Sequence, residues 1–387
     1  MEISDLLRRT VEMGGSDLHL KVGSVPFVRV DGTLTATDFP ALEPHDTELF
    51  AEELMPAHKF TQFGETHEAD FGYTLHGVGR FRINVFRQRA VVGLAIRRVR
   101  AEVPTFDELM LPPAVRTLSD SPRGLLLVTG PTGTGKTTTI ASVIGHINAT
   151  RRTHIVTIED PIEVVHEDLR SIIDQREVGI DTMSYAAALR HVVRQDPDVI
   201  FVGEIRDSLS AEAAIQAAET GHFVISTLHT TDATETINRI LDLFPPQHQR
   251  QVRVSLASGL RGILCQRLLP RADGRGRVPA VEVLVSTGRV QERILKPEST
   301  FEIADIIAEG EFYGMQTFDQ SLVRLVMDGL AREEDAMDAS TNAHDFSLAL
   351  KAARLGAAAD DAAMARTPTR PPDRSVPAWS PAARPER

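Results

Sequence analysis

Cysteine is almost absent: Cys265 is the only one in 387 residues. One thiol excludes an internal disulfide and any metal site built from several thiolates, and beside Leu264 it reads as a small buried hydrophobe. Long apolar runs are missing as well, since none approaches the ~18 residues that a membrane-spanning helix needs. The opening Met1-Glu2-Ile3-Ser4-Asp5 has neither the basic stretch nor the apolar core of a secretory signal, so a cytoplasmic protein is expected. Positive charge is in deficit, with 42 Lys and Arg against 54 Asp and Glu, for a formal net charge of -12. That balance argues against a surface built for nucleic acid, while leaving room for a local basic groove.

What is present divides into regions of different texture. The chain is too long for one ordinary core, so two or three domains are expected. In residues 1–100, Ile3, Leu6, Leu7 and Val11 fall at helical spacing until Gly14-Gly15 stops them. Asp17-Leu18-His19-Leu20-Lys21-Val22 then alternates at period two, and Val28-Arg29-Val30 leads into Asp31-Gly32, a hairpin-turn pair. Arg80-Phe81-Arg82-Ile83-Asn84-Val85-Phe86 alternates again, and Gly93-Leu94-Ala95-Ile96-Arg97-Arg98-Val99 is a further strand candidate. A small α+β domain with a largely antiparallel sheet is expected here. A linker over 101–112 follows, marked by Glu102-Val103-Pro104-Thr105 and Pro112-Pro113.

Residues 113–355 read differently. Leu125-Leu126-Leu127-Val128, Ile155-Val156-Thr157-Ile158, Val199-Ile200-Phe201-Val202 and Phe223-Val224-Ile225-Ser226 are continuous apolar runs. Helix-like stretches at 140–148, 185–194 and 211–219 separate them, which predicts an α/β domain with a mostly parallel sheet covered on both faces. Beyond residue 240 the pattern predicts mainly helix, with one strand candidate at Ala280-Val281-Glu282-Val283-Leu284. Residues 356–387, rich in Ala, Pro and Arg, predict a disordered tail in which Trp379 is an inert residue or a docking anchor.

Gly130-Pro131-Thr132-Gly133-Thr134-Gly135-Lys136-Thr137, followed by Thr138, matches G-x-x-x-x-G-K-[ST] at every position, between an apolar strand and a helix-forming run. Backbone N–H groups of such a loop wrap phosphates, a lysine at the position of Lys136 reaches the β- and γ-phosphates, and a hydroxyl at Thr137 binds Mg²⁺. Hydrolysis of ATP needs a further group to position water. Glu204 ends the apolar strand 199–202 like a Walker B acid and is the candidate. Glu159-Asp160-Pro161-Ile162-Glu163 ends a second strand on the same crevice side, where Glu163 and Asp160 hold Mg²⁺ or position the nucleophile, or else cap a turn. His229 ends the strand 223–228 on the crevice side, where an imidazole can sense the γ-phosphate. His222 lies at the opposite end, in a structural or subunit-contact role.

These blocks resemble the PilT family of type IV pilus retraction ATPases, within the secretion ATPase superfamily, over residues 1–345. The resemblance also covers Gly15-Ser16-Asp17-Leu18-His19-Leu20, Gly79-Arg80-Phe81-Arg82-Ile83-Asn84, Glu204-Ile205-Arg206-Asp207, Glu219-Thr220-Gly221-His222, His229-Thr230-Thr231 and Gly314-Met315-Gln316-Thr317-Phe318-Asp319. It implies a PAS-like N-terminal domain joined to a RecA-like ATPase domain, assembled as a homo-hexamer docked at the cytoplasmic face of the inner membrane on a pilus platform protein. It further implies that ATP and Mg²⁺ lie between the domains, with Arg80, Arg82 and Arg97 completing the site.

One block departs from the family pattern. Retraction ATPases usually carry an Ala-Ile-Arg-Asn-Leu-Ile-like stretch where this chain has Gly288-Arg289-Val290-Gln291-Glu292-Arg293-Ile294-Leu295. That stretch is tied to the direction of work, so an accessory retraction role stays open. A motor of pilus assembly or type II secretion is disfavoured, because such relatives carry a four-cysteine zinc motif. A RecA-like DNA-dependent ATPase is disfavoured by the negative charge, and no nucleic-acid partner is expected.

Overall fold

The computed structural model describes residues 1–30, 32–99 and 103–366, and for 357–366 only the backbone helix. Two sheets organise the chain. The first contains β1 (Asp17–Lys21), β2 (Phe27–Val30), β3 (Thr33–Ala36), β4 (Glu68–Leu75), β5 (Gly79–Gln88) and β6 (Val91–Arg98). Their order is β3-β2-β1-β6-β5-β4, and every pairing is antiparallel, as the alternation implied. On β5, Phe81, Ile83 and Val85 point inward and are fully buried. They meet Leu6 and Leu7 of the helix Ile3–Glu12 and Phe50 of the helix Pro44–Leu54 in one core. Each such side chain contributes about 1.5–3 kcal/mol by leaving water. The other face carries Arg80 and Arg82, and Arg97 lies beside Arg82 in strand register.

The second sheet contains β7 (Gly124–Thr129), β8 (His154–Glu159), β9 (Ile172–Glu177), β10 (Val199–Val202), β11 (Phe223–Leu228), β12 (Leu260–Pro270) and β13 (Arg277–Val285). The order is β13-β12-β7-β11-β10-β8-β9, parallel except for the last strand, β13, which runs antiparallel to β12. Strands β7, β10 and β11 are buried at every residue, because helices cover both faces and leave no side for polar alternation. The fold is therefore α/β with a second, antiparallel N-terminal layer.

Three features differ from the sequence reading. The 260–270 stretch is a strand, although Leu260, Ile263, Leu264 and Leu268 fall at helical spacing; the free flank of β7 captures it and buries both its faces. Strand β9, IIDQRE, is too polar to read as a buried strand and forms the edge beside β8. The expected linker is ordered from Val103 onward: Phe106 and Leu111 pack into the core beside the second sheet, and Glu108 accepts the Thr105 N–H at 2.7 Å.

A helix also enters the expected tail. It spans Ala343–Arg366, with Phe346 and Leu350 buried in the core near its start, so the boundary at residue 356 falls inside a helix. Its alanines, the strongest helix formers, carry it onward. Residues 367–387, with Trp379, lie outside the described residues.

Candidate active site

The loop 130–137 leaves β7 and enters the helix Lys136–Thr150, as the motif requires. Gly130 sits at φ +143, and a β-carbon there would lie 2.5 Å from the Gln266 carbonyl oxygen, so only glycine fits between loop and β12. Gln266 also fixes the helix, since its Oε1 accepts the Thr139 hydroxyl at 2.8 Å. Lys136 Nζ folds over the loop and donates to the Gly130 and Pro131 carbonyls at 2.6 and 3.0 Å. Burial pushes its pKa down, opposed by the charges of Glu204 and Glu163 across the cleft. Thr137 and Thr138, in the first turn, remain exposed.

Parallel strands β7, β8, β10 and β11 deliver their C-terminal ends to one crevice of about 520 Å³. It is lined by Thr132, Gly133, Gly135, Lys136, Thr137 and Thr138 from the loop side, and by Asp160, Glu163, Glu204 and His229 from the strand ends. The ends of β10 and β11 are tied together: Thr227 Oγ1 donates to the Gly203 carbonyl at 2.7 Å, and Ile205 N–H to the Thr227 carbonyl at 3.1 Å. That tie places Glu204 Oε1 3.4 Å from His229 Nε2, while Arg206 Nε donates to Glu204 Oε2 at 2.8 Å. Glu159, also on the crevice lining but almost fully buried, accepts the Thr157 hydroxyl at 2.6 Å, and burial raises its pKa. His222, at the far end of β11, bonds through Nδ1 to the Ala217 carbonyl at 2.9 Å, a structural role.

The N-terminal arginines do not enter this crevice. Arg80 pairs with the buried Glu177 at the end of β9, and its guanidinium passes over Gly72, where a β-carbon would lie 2.6 Å from Arg80 Nη2 and displace it. Glu177 also accepts the Ile162 N–H of the Asp160–Glu163 turn, so one carboxylate clips the N-terminal sheet to the acidic loop. Arg97 is exposed and donates to Asp17 Oδ1 at 2.8 Å. Burial raises the pKa of Asp17, and the Arg97 and Ser16 hydrogen bonds outweigh it, so the net shift is downward. Arg82 lines a smaller cavity of about 170 Å³ between the domains, with Asp70, Glu177, Asp160 and Pro161; the last two border the larger crevice as well.

Some lining residues escaped the sequence reading. Arg277, first residue of β13, reaches the loop and donates to the Gly133 carbonyl at 3.3 Å. Tyr185 abuts Gly203 beneath Glu204, with burial raising its pKa further above the usual phenol value. No spacing signal marked either, because both arrive from elements distant in sequence.

Among relatives, the Type II/IV secretion system protein family model matches residues 100–352. The type IV pilus retraction ATPase PilT of Pseudomonas aeruginosa is 40% identical over 346 residues, covering 89% of this chain and 100% of that one. The type IV pilus ATPase PilU of the same organism is 39% identical, covering 93% of each. A crystal structure of the pilus retraction motor PilT with bound ADP superposes with a TM-score of 0.81 at 46% identity, covering 89% of this chain and 98% of that one. With full-length relatives, the shared α/β architecture and the assembled crevice in agreement, the chain belongs to the type II/IV secretion ATPase family, among its PilT-like pilus retraction members.

Proposed function

We propose that this chain is an ATP-hydrolysing motor that powers retraction of a type IV pilus. The observation that carries the reading is the crevice itself: a phosphate-wrapping loop faces three strand-end groups, Glu163, Glu204 and His229, at the topological switch of a parallel sheet. Residues 130–138 take the phosphates. Among the described residues Lys136 Nζ bonds to its own loop carbonyls, and those bonds can be exchanged for phosphate oxygens. Glu204 positions and polarises the attacking water, and His229, in contact with it, senses the γ-phosphate.

The donors present suit Mg²⁺, which favours a few oxygen ligands plus phosphates and waters. Thr137 and Glu163 offer hard oxygens, and no cluster of three or more metal-ligating acids, cysteines or histidines occurs among the described residues. When bound, Mg²⁺ neutralises charge developing on the phosphates. Arg80, Arg82 and Arg97 lie on the outer face of the N-terminal sheet, where rotation of that domain or an adjoining subunit of a homo-hexamer brings them to the phosphates. An arginine stabilising transition-state charge adds ~10³–10⁵ in rate.

Family membership supports work at the cytoplasmic face of the inner membrane through a pilus platform protein, and no described helix is long and apolar enough to cross a membrane. Deleting the gene and counting surface pili tests the reading. Excess pili that do not retract, with lost twitching motility, are expected; bald cells would point to assembly instead. Purified protein should hydrolyse ATP without stimulation by DNA.

A further inference from the structure

Glu282, midway along the edge strand β13, is only 9% exposed and does not line the crevice. Strand register shows what surrounds it. Thr129, directly before the phosphate loop, pairs with Cys265 on β12, and Cys265 pairs with Glu282 on β13. Paired residues project to one face, so Thr129, Cys265 and Glu282 form a row across three strands. Above that row lies the turn that follows His229.

The turn is internally stiff. The Thr230 and Thr236 hydroxyls are 2.6 Å apart, Thr236 also reaches the Asp232 carbonyl, and Asp232 caps the helix Ala233–Asp242 by accepting the Glu235 N–H at 2.8 Å. Thr231 donates through both N–H and hydroxyl to Glu235. Glu282 fastens this unit to the sheet, because its Oε1 accepts the Ala233 N–H, one of the helix's orphan donors, at 2.9 Å.

Burying a carboxylate is costly unless its neighbours compensate, and an apolar side chain would fill the same space without that cost. Burial pushes the Glu282 pKa up to about 7 and Asp232 adds to the rise, while the Ala233 N–H, Cys265 and Arg267 pull it down. What Glu282 supplies and a hydrophobe cannot is a fixed acceptor for the turn.

We infer that Glu282 is a positioning residue of the nucleotide site: by holding the Ala233 N–H it sets the place of the 230–232 turn, and through it the distance from His229 to Glu204. The inference rests on the ATPase reading above. His229 immediately precedes this turn, and its Nε2 stands 3.4 Å from Glu204 Oε1, so a small displacement of the turn breaks that contact.

The test compares the full-length wild type with Glu282→Ala, Glu282→Gln, His229→Ala and the double variant Glu282→Ala/His229→Ala. Three quantities are measured: ATP turnover, ATP affinity at equilibrium, and amide hydrogen exchange of the peptide spanning 226–236. Glu282→Ala should lower kcat about tenfold with ATP affinity and KM within about twofold, and add nothing to His229→Ala. It should also speed exchange of that peptide by about tenfold. Glu282→Gln keeps the acceptor oxygen and should restore both. If Glu282→Ala fails to fold, Glu282→Asp replaces it, since its acceptor is withdrawn by one methylene.

Unchanged turnover in Glu282→Ala, a full additional loss in the His229→Ala background, or failure of Glu282→Gln to rescue would each overturn the inference. A wild type that binds ATP without hydrolysing it would overturn the ATPase reading separately. In that case unchanged exchange in Glu282→Ala overturns the inference, and faster exchange rescued by Glu282→Gln supports it.

Discussion

The two sheets treat charge in opposite ways. The N-terminal sheet is covered on one face, and two of its arginines stand outward: Arg97 is 72% exposed, and Arg82 opens into a cavity between the domains, while Arg80 closes on Glu177. The ATPase sheet is covered on both faces, so its ionisable groups either gather at strand ends, as Glu204 and His229 do, or are buried and must find partners, as Glu159, Glu177 and Glu282 do. Charge that faces outward can be offered to a ligand brought by a movement of the domains. Charge at a buried strand end is already aimed, and its position depends on the packing behind it.

The sharpest test of that contrast is at the strand ends. Glu204→Gln should retain ATP binding and lose up to ~10⁴-fold in kcat, whereas Lys136→Ala should lose productive binding itself. Equilibrium binding beside steady-state turnover separates the two, and strong residual hydrolysis in Glu204→Gln would shift the water-positioning role to Glu163. On the outward face, Arg82→Ala should cost ~10³ in kcat if the arginine reaches the phosphates during turnover. Wild-type turnover in that variant would make Arg82 a surface charge and break the comparison.

Effects on stability should be smaller and differ in kind. Arg80→Ala leaves the buried Glu177 without its guanidinium, a loss of about 3 kcal/mol that a denaturant midpoint would register. Glu282 sets a pH dependence. Its folded pKa of about 7 lies above its ordinary 4.5, so between these values the folded chain keeps a proton that the unfolded chain releases. The stability tied to this group is whole below about pH 4.5 and falls as pH rises through 7, by on the order of 3 kcal/mol, and Glu282→Gln should flatten that slope. Arg97→Ala, which removes the exposed partner of Asp17, should change stability by no more than about 1 kcal/mol. A loss in turnover far beyond that would give Arg97 a place in the site.

Much of the fold was legible along the chain. The short apolar runs of β7, β8, β10 and β11, alternating with helix-like stretches, read as strands buried on both faces, and the alternation in β1 and β5 reads as a sheet covered on one. The loop 130–137, Glu204 and His229 were legible because each sits at a fixed offset from such a strand. The 260–270 stretch was not, since its leucines and isoleucines fit a helix as well as a strand until β7 supplies a neighbour. Nor was the tail boundary, where alanine propensity carries the helix Ala343–Arg366 past the expected end.

The sequence by itself determined that a phosphate loop lies between a buried strand and a helix, and that acidic and histidine residues end the strands beside it. These are relations between residues close in the chain, governed by local geometry and hydrophobic period. Only the tertiary structure decided that Arg80 closes on Glu177, that Arg277 reaches the loop carbonyl, and that Thr129, Cys265 and Glu282 align beneath the His229 turn. Those relations depend on which strands become neighbours and in what register. That choice is made by burial of the whole sheet, and no short stretch of sequence carries it.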